Sequence, residues 1–230
     1  MAPMLDLQFV SMLGMGFLLG ARHALDADHI AAVSTLLSRR PDIKASGFIG
    51  LCWGIGHTAT LLMVGCAVLA LKLTIPDAVA QACEQVVGVM LIVLGAGLAV
   101  TLYREQWHLH AHEHDGSVHV HLHSHQHRDD HAHTHGWRRG LQPLAVGMVH
   151  GLAGSAAVML LVLSASRTVW KGVAFILLFG LGSIAGMMAI GTVISLPLML
   201  PASRGRFMGL TVRGLACLGS LYLGISILAH

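Results

Sequence analysis

Six apolar segments, each long enough to cross a lipid bilayer, make up most of this 230-residue sequence. A spanning helix needs about 20 apolar residues. The segments that meet this length run over Leu5–Leu37, Ala45–Leu71, Ala78–Tyr103, Leu141–Ala165, Val169–Leu200 and Gly205–Ala229. Only 11% of the residues are charged, against roughly 25% in soluble domains, so there is too little polar surface for a water-soluble globule. We therefore predict an all-α integral membrane protein with six transmembrane helices.

Prolines mark the joints between these segments, because proline is poorly tolerated inside a helix. The prolines at or near segment ends are Pro41, Pro76, Pro143 and Pro201. The first and fifth segments are longer than one crossing requires, which predicts a break, a strong tilt or a re-entrant piece in each.

The distribution of Lys and Arg predicts how the chain is oriented. The links after the first, third and fifth segments, with their flanks, hold ten of these residues, whereas the opposite side has only Lys72, Arg167 and Lys171. Basic residues concentrate in cytoplasmic loops. We therefore expect those three links in the cytoplasm and both termini outside.

The two halves of the chain resemble each other. GARHALDADHIAAV aligns with GMVHGLAGSAAVML at an offset of 127 residues, which matches His23 to His150. WGIGHTATLLMVG aligns with FGLGSIAGMMAIG at an offset of 126 and matches three glycines. A repeat of three crossings must be inverted in the membrane, since an odd number of crossings reverses direction. We predict two inverted three-helix repeats, residues 1–103 and 141–230, joined by a cytoplasmic His-rich loop over 104–140.

The first segment contains a polar cluster, ARHALDADHI, inside an otherwise apolar run. An ionised group at the centre of a spanning helix costs roughly 2.5–3.5 kcal/mol, so Arg22, Asp26 and Asp28 would together cost about 8–10 kcal/mol if they faced lipid. They must therefore be paired, hydrated or coordinating an ion. On an ideal helix Asp28 points away from His23, Asp26 and His29, so either the helix breaks here or Asp28 orients a histidine. A polar patch that holds helices together is the alternative interpretation.

Two more histidines lie in apolar spans. His57, in GIGHTATLL, follows glycines that allow close backbone approach, and His150 is the repeat mate of His23 without carboxylates around it. A lone histidine in such a span is more often a hydrogen-bonded core residue, but the polar cluster favours a ligand role. The candidate metal ligands are His23, Asp26, Asp28, His29, His57 and His150, and we expect Arg22 to pair with Asp26 or Asp28.

The donor types restrict the metal. Imidazole with one or two carboxylates is a borderline site for a divalent first-row ion. The cluster has no thiolate, which argues against Cu(I), and no all-oxygen cage, which argues against Mg²⁺ or Ca²⁺. Nitrogen and oxygen ligands suit Ni²⁺, while Co²⁺ and Zn²⁺ remain open. We find no HExxH motif and no nucleophile with a nearby base, so we expect no enzyme.

The link between the third and fourth segments is rich in histidine. WHLHAHEHDGSVHVHLHSHQHRDDHAHTHGW holds twelve of the seventeen histidines in the chain. We expect this His-rich tract to be disordered without metal and to collect several ions weakly. A solvated spacer is the alternative interpretation.

These motifs resemble those of the nickel/cobalt transporter (NiCoT) family. RHALDADHIAAV contains the family's His-x4-Asp-His pattern at His23, Asp28 and His29, and GIGHTATLL resembles its second motif, with His57 at the histidine. The six-span length is similar to the short, UreH-like branch. The resemblance implies that these four residues form the metal path of a secondary transporter in the bacterial plasma (inner) membrane.

The resemblance also implies the substrate and the partners. It implies high-affinity uptake of Ni²⁺, or of Co²⁺, as the transported substrate, supplying urease or hydrogenase maturation. The expected partners are a divalent transition-metal ion, the lipid bilayer and cytoplasmic nickel chaperones, with no nucleic acid and no prosthetic group. The alternatives are a nickel/cobalt or zinc efflux carrier and, from another class, a membrane-bound metalloenzyme or metal-storage protein.

Overall fold

In the residues that it describes, the computed structural model of the chain contains seven α-helices and one small β-hairpin. It describes residues 7–38, 42–73, 75–106, 109–114, 117–122, 136–165, 168–198 and 202–229. The helices are α1 (Leu7–His23), α2 (Ala27–Leu37), α3 (Ile43–Leu71), α4 (Asp77–Gln106), α5 (Gly136–Ala165), α6 (Val169–Leu198) and α7 (Ala202–Ala229). The prediction that the chain is built mainly of α-helices is confirmed.

Four helices in the described part of the chain are long and apolar enough to cross a membrane. These spans are Ile43–Leu71, Asp77–Arg104, Val169–Leu196 and Gly209–Ala229. Large apolar side chains such as Met63, Val93 and Leu215 are more than 60% exposed along them. Such a surface is expected where lipid, not water, covers the protein.

The first apolar segment is broken, as its length predicts. Helix α1 ends at His23, and a short turn over 24–26 precedes α2. Asp26 has an extended backbone there, with φ −62° and ψ 146°. By contrast, α6 runs from Val169 to Leu198 without a break, so of the three alternatives for the fifth segment the break is wrong. Between Gly172 and Leu198, α6 contains no charged residue. No side chain there therefore requires a break in the helix to reach a polar partner.

Two of the proline predictions can be compared with the structure. Pro76 separates α3 from α4 as predicted. Pro143, however, lies inside α5, which begins at Gly136. Hydropathy locates only the lipid-embedded part of a helix, so it missed the polar first turns of α5 around Arg138 and Arg139. Pro41 and Pro201 lie outside the described residues.

The described part of the His-rich tract contains two paired strands. β1 (Leu109–His114) pairs antiparallel with β2 (Ser117–Leu122), placing His110 opposite His121 and His112 opposite His119. The expectation of disorder is wrong for these two strands, because alternation with a period of two suits a β-strand. Residues 123–135 of the tract lie outside the described residues.

Glycines set the distances between the helices around the core. A Cβ atom on Gly20 would collide with the backbone carbonyl of Phe179, and one on Gly16 would lie 3.1 Å from Phe175, so α1 packs parallel to α6. Helices α3 and α5 also run parallel, with Gly147 against the carbonyl of Trp53 and Gly151 against that of His57. Such small residues allow helix backbones to approach closely in a membrane.

Two other helix pairs are antiparallel. Gly54 faces Ile184 and Gly50 faces Met187, so α3 and α6 run in opposite directions. Gly88 in α4 faces Gly224 in α7, and these two helices also run in opposite directions. The short helix α2 lies between α4, α6 and α7, and eight of its eleven residues are buried, namely His29 and the run over 31–37. These contacts anchor α2 in the interior directly after the break that separates it from α1.

Candidate metal centre

The break in the first segment brings its polar residues into the protein. His23 ends α1, and its Nδ1 lies 2.7 Å from Oδ2 of Asp26, which spans the turn. Asp28 lies in the first turn of α2, where its Oδ1 accepts a hydrogen bond from the backbone N–H of His29 at 2.9 Å. Carboxylates at a helix N-terminus are favoured by the exposed N–H groups there. The local sequence therefore supplies the interactions that stabilise the break.

Four histidines from four helices meet at this point. His29 lies at the centre: its ring centroid is 4.6 Å from that of His23, 4.6 Å from that of His150 and 5.4 Å from that of His57. The His23 and His57 rings are 5.2 Å apart. Only His230 and the twelve tract histidines lie elsewhere in the sequence. Helix packing thus gathers four of the five histidines outside the tract.

These imidazoles are buried and leave ring nitrogens without partners. His29 and His150 are 2% exposed, and His57 is fully buried. Neither ring nitrogen of His57 has a hydrogen-bond partner among the described residues, and the same holds for Nε2 of His23 and of His29. Unpaired buried polar atoms cost about 1–3 kcal/mol each. A cation with open coordination positions would satisfy these nitrogens.

The two carboxylates of the motif orient different histidines. Asp26 is 52% exposed and contacts His23, whereas Asp28 is 33% exposed and contacts two rings. Oδ1 of Asp28 lies 3.1 Å from Nδ1 of His29, and Oδ2 lies 3.4 Å from Nε2 of His150. When Nδ1–H donates to a carboxylate, the lone pair is left on Nε2, where a metal can bind.

The structure does not place Arg22 where we expected it. Arg22 is exposed, and it forms no ion pair with Asp26 or Asp28. The structure describes all three residues. The pairing prediction is therefore wrong. The break at 24–26 turns both carboxylates toward the histidines, while Arg22 stays on the outer face of the last turn of α1.

Two overlapping groups of residues have their ligand atoms close enough to hold one ion. In each group these atoms all lie within 4.8 Å of one another. The first group is His23, His29 and His57, and the second is Asp28, His29 and His150. Five of the six candidate ligands are thus brought together, and Asp26 adjoins them through His23.

Two aromatic residues that the sequence analysis did not select border the histidines. The Trp53 ring is stacked on His29 at 5.8 Å with an interplanar angle of 11°, and its centroid is 5.2 Å from that of His150. The Phe179 centroid is 5.4 Å from that of His23. Trp53 and Phe179 are the first residues of the two aligned strings WGIGHTATLLMVG and FGLGSIAGMMAIG. An aromatic residue at the same position of both repeats could have indicated that they lie near the site.

Gly154 also lines the site and had no signal in the sequence. A Cβ atom built there would lie 3.5 Å from Nε2 of His23 and 3.8 Å from Cε1 of His57. Of the hydroxyls near the site, Ser183 donates to the carbonyl of Gly20 at 3.1 Å, while the buried Thr58 hydroxyl has no partner among the described residues. Ser183 therefore serves helix packing, whereas Thr58 keeps an oxygen available.

One protein family matches the chain along most of its length. The family model described as NicO, high-affinity nickel-transport protein, matches residues 9–223. The chain is 35% identical to the urease accessory protein UreH of Bacillus sp. (strain TB-90), over 87% of this chain and 83% of that protein. It is 28% identical to the chloroplast proteins FOR GROWTH AND FERTILITY 1 and 2 of Arabidopsis thaliana, over 75% of this chain and 46% and 44% of theirs. No solved structure matches.

Proposed function

Because this chain belongs to the family of high-affinity nickel-transport proteins, we propose that its buried histidine cluster is the place where Ni²⁺ sheds water and crosses the membrane. The chain is a nickel transporter and not an enzyme, as the sequence predicted. Within the proposal, His23, Asp28, His29 and His57 form the path, and Asp26 and His150 assist.

The observation that carries the proposal is the set of unpaired ring nitrogens in the interior. His57 is fully buried with two such nitrogens, and His23 and His29 each add one. A fold that needed these rings only for packing would gain stability from apolar residues of the same volume. Imidazole nitrogen is a ligand that Ni²⁺ accepts, and Asp28 adds one negative charge beside the cluster.

Uptake measurements test this assignment. We expect His23→Ala and His29→Ala to reduce ⁶³Ni²⁺ accumulation in sealed vesicles by about tenfold or more. Ser220→Ala is the matched control, because the Ser220 hydroxyl is buried and bonded to the carbonyl of Leu91 away from the site. Normal accumulation by either histidine variant, at equal expression, would remove that residue from the path.

We further propose that six crossings form two inverted repeats around this site. The crossings would be α1 with α2, then α3, α4, α5, α6 and α7 in turn. Two observations support this arrangement: α1 runs parallel to α6, and the pair that the repeat relates to it, α5 with α3, is also parallel. The contact of Gly20 with Phe179 is equivalent to that of Gly147 with Trp53 once the offsets of 127 and 126 residues are applied.

The central position of the site also fits a transporter. His57 is the fifteenth of 29 residues in α3, and His150 is the fifteenth of 30 in α5. If both helices cross the bilayer, these histidines lie near its mid-plane, where secondary transporters built from inverted repeats bind their substrates.

The orientation proposed from the basic residues places both termini outside and the His-rich tract in the cytoplasm of a bacterial plasma membrane. Ten of the thirteen basic residues counted in loops and flanks lie on the cytoplasmic side. We expect an epitope added at either terminus to be accessible to antibody on intact spheroplasts, and one inserted at residue 116 to require permeabilisation. The reverse pattern would show that the orientation is wrong.

The proposal extends to selectivity and to cytoplasmic partners. Co²⁺ is a second substrate to be tested in competition, since the nitrogen and oxygen donors accept both ions. The name of the Bacillus relative refers to urease. We accordingly propose that Ni²⁺ entering through this chain supplies urease or hydrogenase maturation, with the His-rich tract passing ions to nickel chaperones.

A further inference from the structure

We infer that the site offers one Ni²⁺ ion two alternative positions that share His29. His23, His29 and His57 form the first position, and Asp28, His29 and His150 form the second. This inference rests on the proposed function, since it assumes that Ni²⁺ passes through the cluster. The inference adds that the ion moves from one position to the other by way of the His29 imidazole, which both positions share.

The repeat symmetry of the surroundings supports two positions. His23 and His150 are repeat mates, and they flank His29 at the same centroid distance of 4.6 Å. Each is bordered by an aromatic residue of the opposite repeat: Phe179 lies 5.4 Å from His23, and Trp53 lies 5.2 Å from His150. If the repeats are inverted, their two-fold axis lies in the membrane plane, so the two positions are displaced toward opposite faces.

The positions exclude each other because they share a ligand. A neutral imidazole has one nitrogen with a free lone pair and one that carries a proton. His29 can therefore bind an ion in only one of the two groups at a time. Two divalent cations within the span of these few residues would also repel each other strongly.

The contacts of His29 indicate which nitrogen serves each position. Its Nδ1 lies 3.1 Å from Asp28, whereas its Nε2 has no partner among the described residues. An ion in the first position binds Nε2 while Nδ1–H donates to Asp28. When the ion moves to the second position it binds Nδ1 and Asp28, and the proton is transferred from Nδ1 to Nε2. The number of protons on the protein stays the same.

Variants that remove one position at a time test this inference. His57→Ala removes a ligand of the first position only, His150→Ala a ligand of the second only, and His29→Ala a ligand of both. All are made in the full chain with the twelve tract histidines replaced by serine, so that the loop binds no Ni²⁺. Ni²⁺ alone is titrated into the detergent-purified protein, and X-ray absorption identifies the ligands.

We expect one Ni²⁺ per chain in the parent and in both single-position variants, with affinities within about tenfold of the parent. His29→Ala should weaken binding by more than about a hundredfold. The absorption spectrum of His150→Ala should contain only nitrogen from protein, and that of His57→Ala should also contain carboxylate oxygen. Both single-position variants should bind Ni²⁺ yet transport it at least about tenfold more slowly, since the ion has nowhere to move.

Three results would overturn the inference. They are two Ni²⁺ ions bound to the parent, loss of binding in His57→Ala and His150→Ala as complete as in His29→Ala, or parental transport by either single-position variant. Conservative His57→Gln and His150→Gln variants replace any alanine variant that aggregates, and Ser220→Ala controls for purification. A parent without Ni²⁺ uptake in vesicles would contradict the transport proposal, whereas the binding data would still decide whether His29 is shared.

Discussion

Several residues at the proposed ion site bury polar atoms without partners, which costs stability. His57 buries two ring nitrogens without partners, and His23 and His29 each bury one, among the described residues. Each such atom has lost its hydrogen bond to water, and only a bound ligand can replace that bond. The space between the rings is also kept free, because Gly154 has no side chain where a methyl group would face His23 and His57.

Gly154→Ala should therefore block transport without unfolding the protein. The added methyl group would be in ordinary van der Waals contact, 3.5 Å from Nε2 of His23, but it would occupy space beside a nitrogen that we propose as a ligand of the ion. We expect ⁶³Ni²⁺ uptake in vesicles to fall by about tenfold or more, while the thermal unfolding midpoint stays within a few degrees.

Gly219→Ala provides the comparison for this experiment. A Cβ atom on Gly219 would meet nothing within 4 Å, and alanine favours a helix over glycine, so both uptake and stability should be retained. Unchanged uptake by Gly154→Ala would mean that the ion does not pass next to this glycine.

At the level of helices, close backbone contacts between repeat-related pairs place the ligands. Helix α1 contacts α6 through Gly20 and Gly182, and α3 contacts α5 through Gly56 and Gly147. His23 and His150 each lie three residues after one of these glycines, at Gly20 and Gly147. The distance between the two helices of a pair therefore determines how far each histidine lies from the shared ring of His29.

Gly20→Ala and Gly147→Ala should have similar effects, since they change equivalent contacts. In both variants the new Cβ atom would collide with a backbone carbonyl, that of Phe179 or of Trp53, so the helices must separate. Overpacking of this kind costs about 1–3 kcal/mol, which corresponds to a fall of roughly 2–12 °C in the unfolding midpoint of a chain this long.

The unfolding midpoints of the detergent-purified variants check this prediction. The control is Gly14→Ala, at an exposed position of the same helix, because a Cβ atom at Gly14 meets nothing within 4 Å. A midpoint for Gly20→Ala equal to that of Gly14→Ala would show that α1 and α6 are not packed as described.

For the whole molecule, we propose separate roles for the His-rich tract and the buried histidine cluster. The tract lies between α4 and α5 in the chain, and its two described strands pair with each other. Histidines at this density should bind several ions weakly, and they release them as the pH falls through the histidine range. We infer that the tract collects ions and that the buried cluster selects and transports them.

Deleting residues 108–135 should consequently lower Ni²⁺ accumulation only in part. We expect the initial rate of ⁶³Ni²⁺ uptake into vesicles to be maintained, because the four buried histidines are unchanged, while the amount retained at low external Ni²⁺ decreases. Complete loss of uptake in a variant that is expressed normally would place the tract within the transport path.

Much of this protein can be predicted from local features of its sequence. Long apolar runs predicted helices in a membrane, and the cost of burying Asp26 and Asp28 predicted a break or a special role for the first segment. The His-x4-Asp-His spacing indicated the nickel-transport family, which the family match confirms. Each of these signals lies within about one crossing length of chain.

Tertiary structure alone decided which groups meet. It placed Asp28 between His29 and His150, kept Arg22 away from both carboxylates, and brought Trp53, Phe179 and Gly154 to the site. The physical reason is that the site combines side chains from α1, α2, α3 and α5, whose separations depend on backbone contacts at glycines far apart in the sequence. Hydropathy and motif spacing describe one helix at a time, whereas an ion is held by distances between helices.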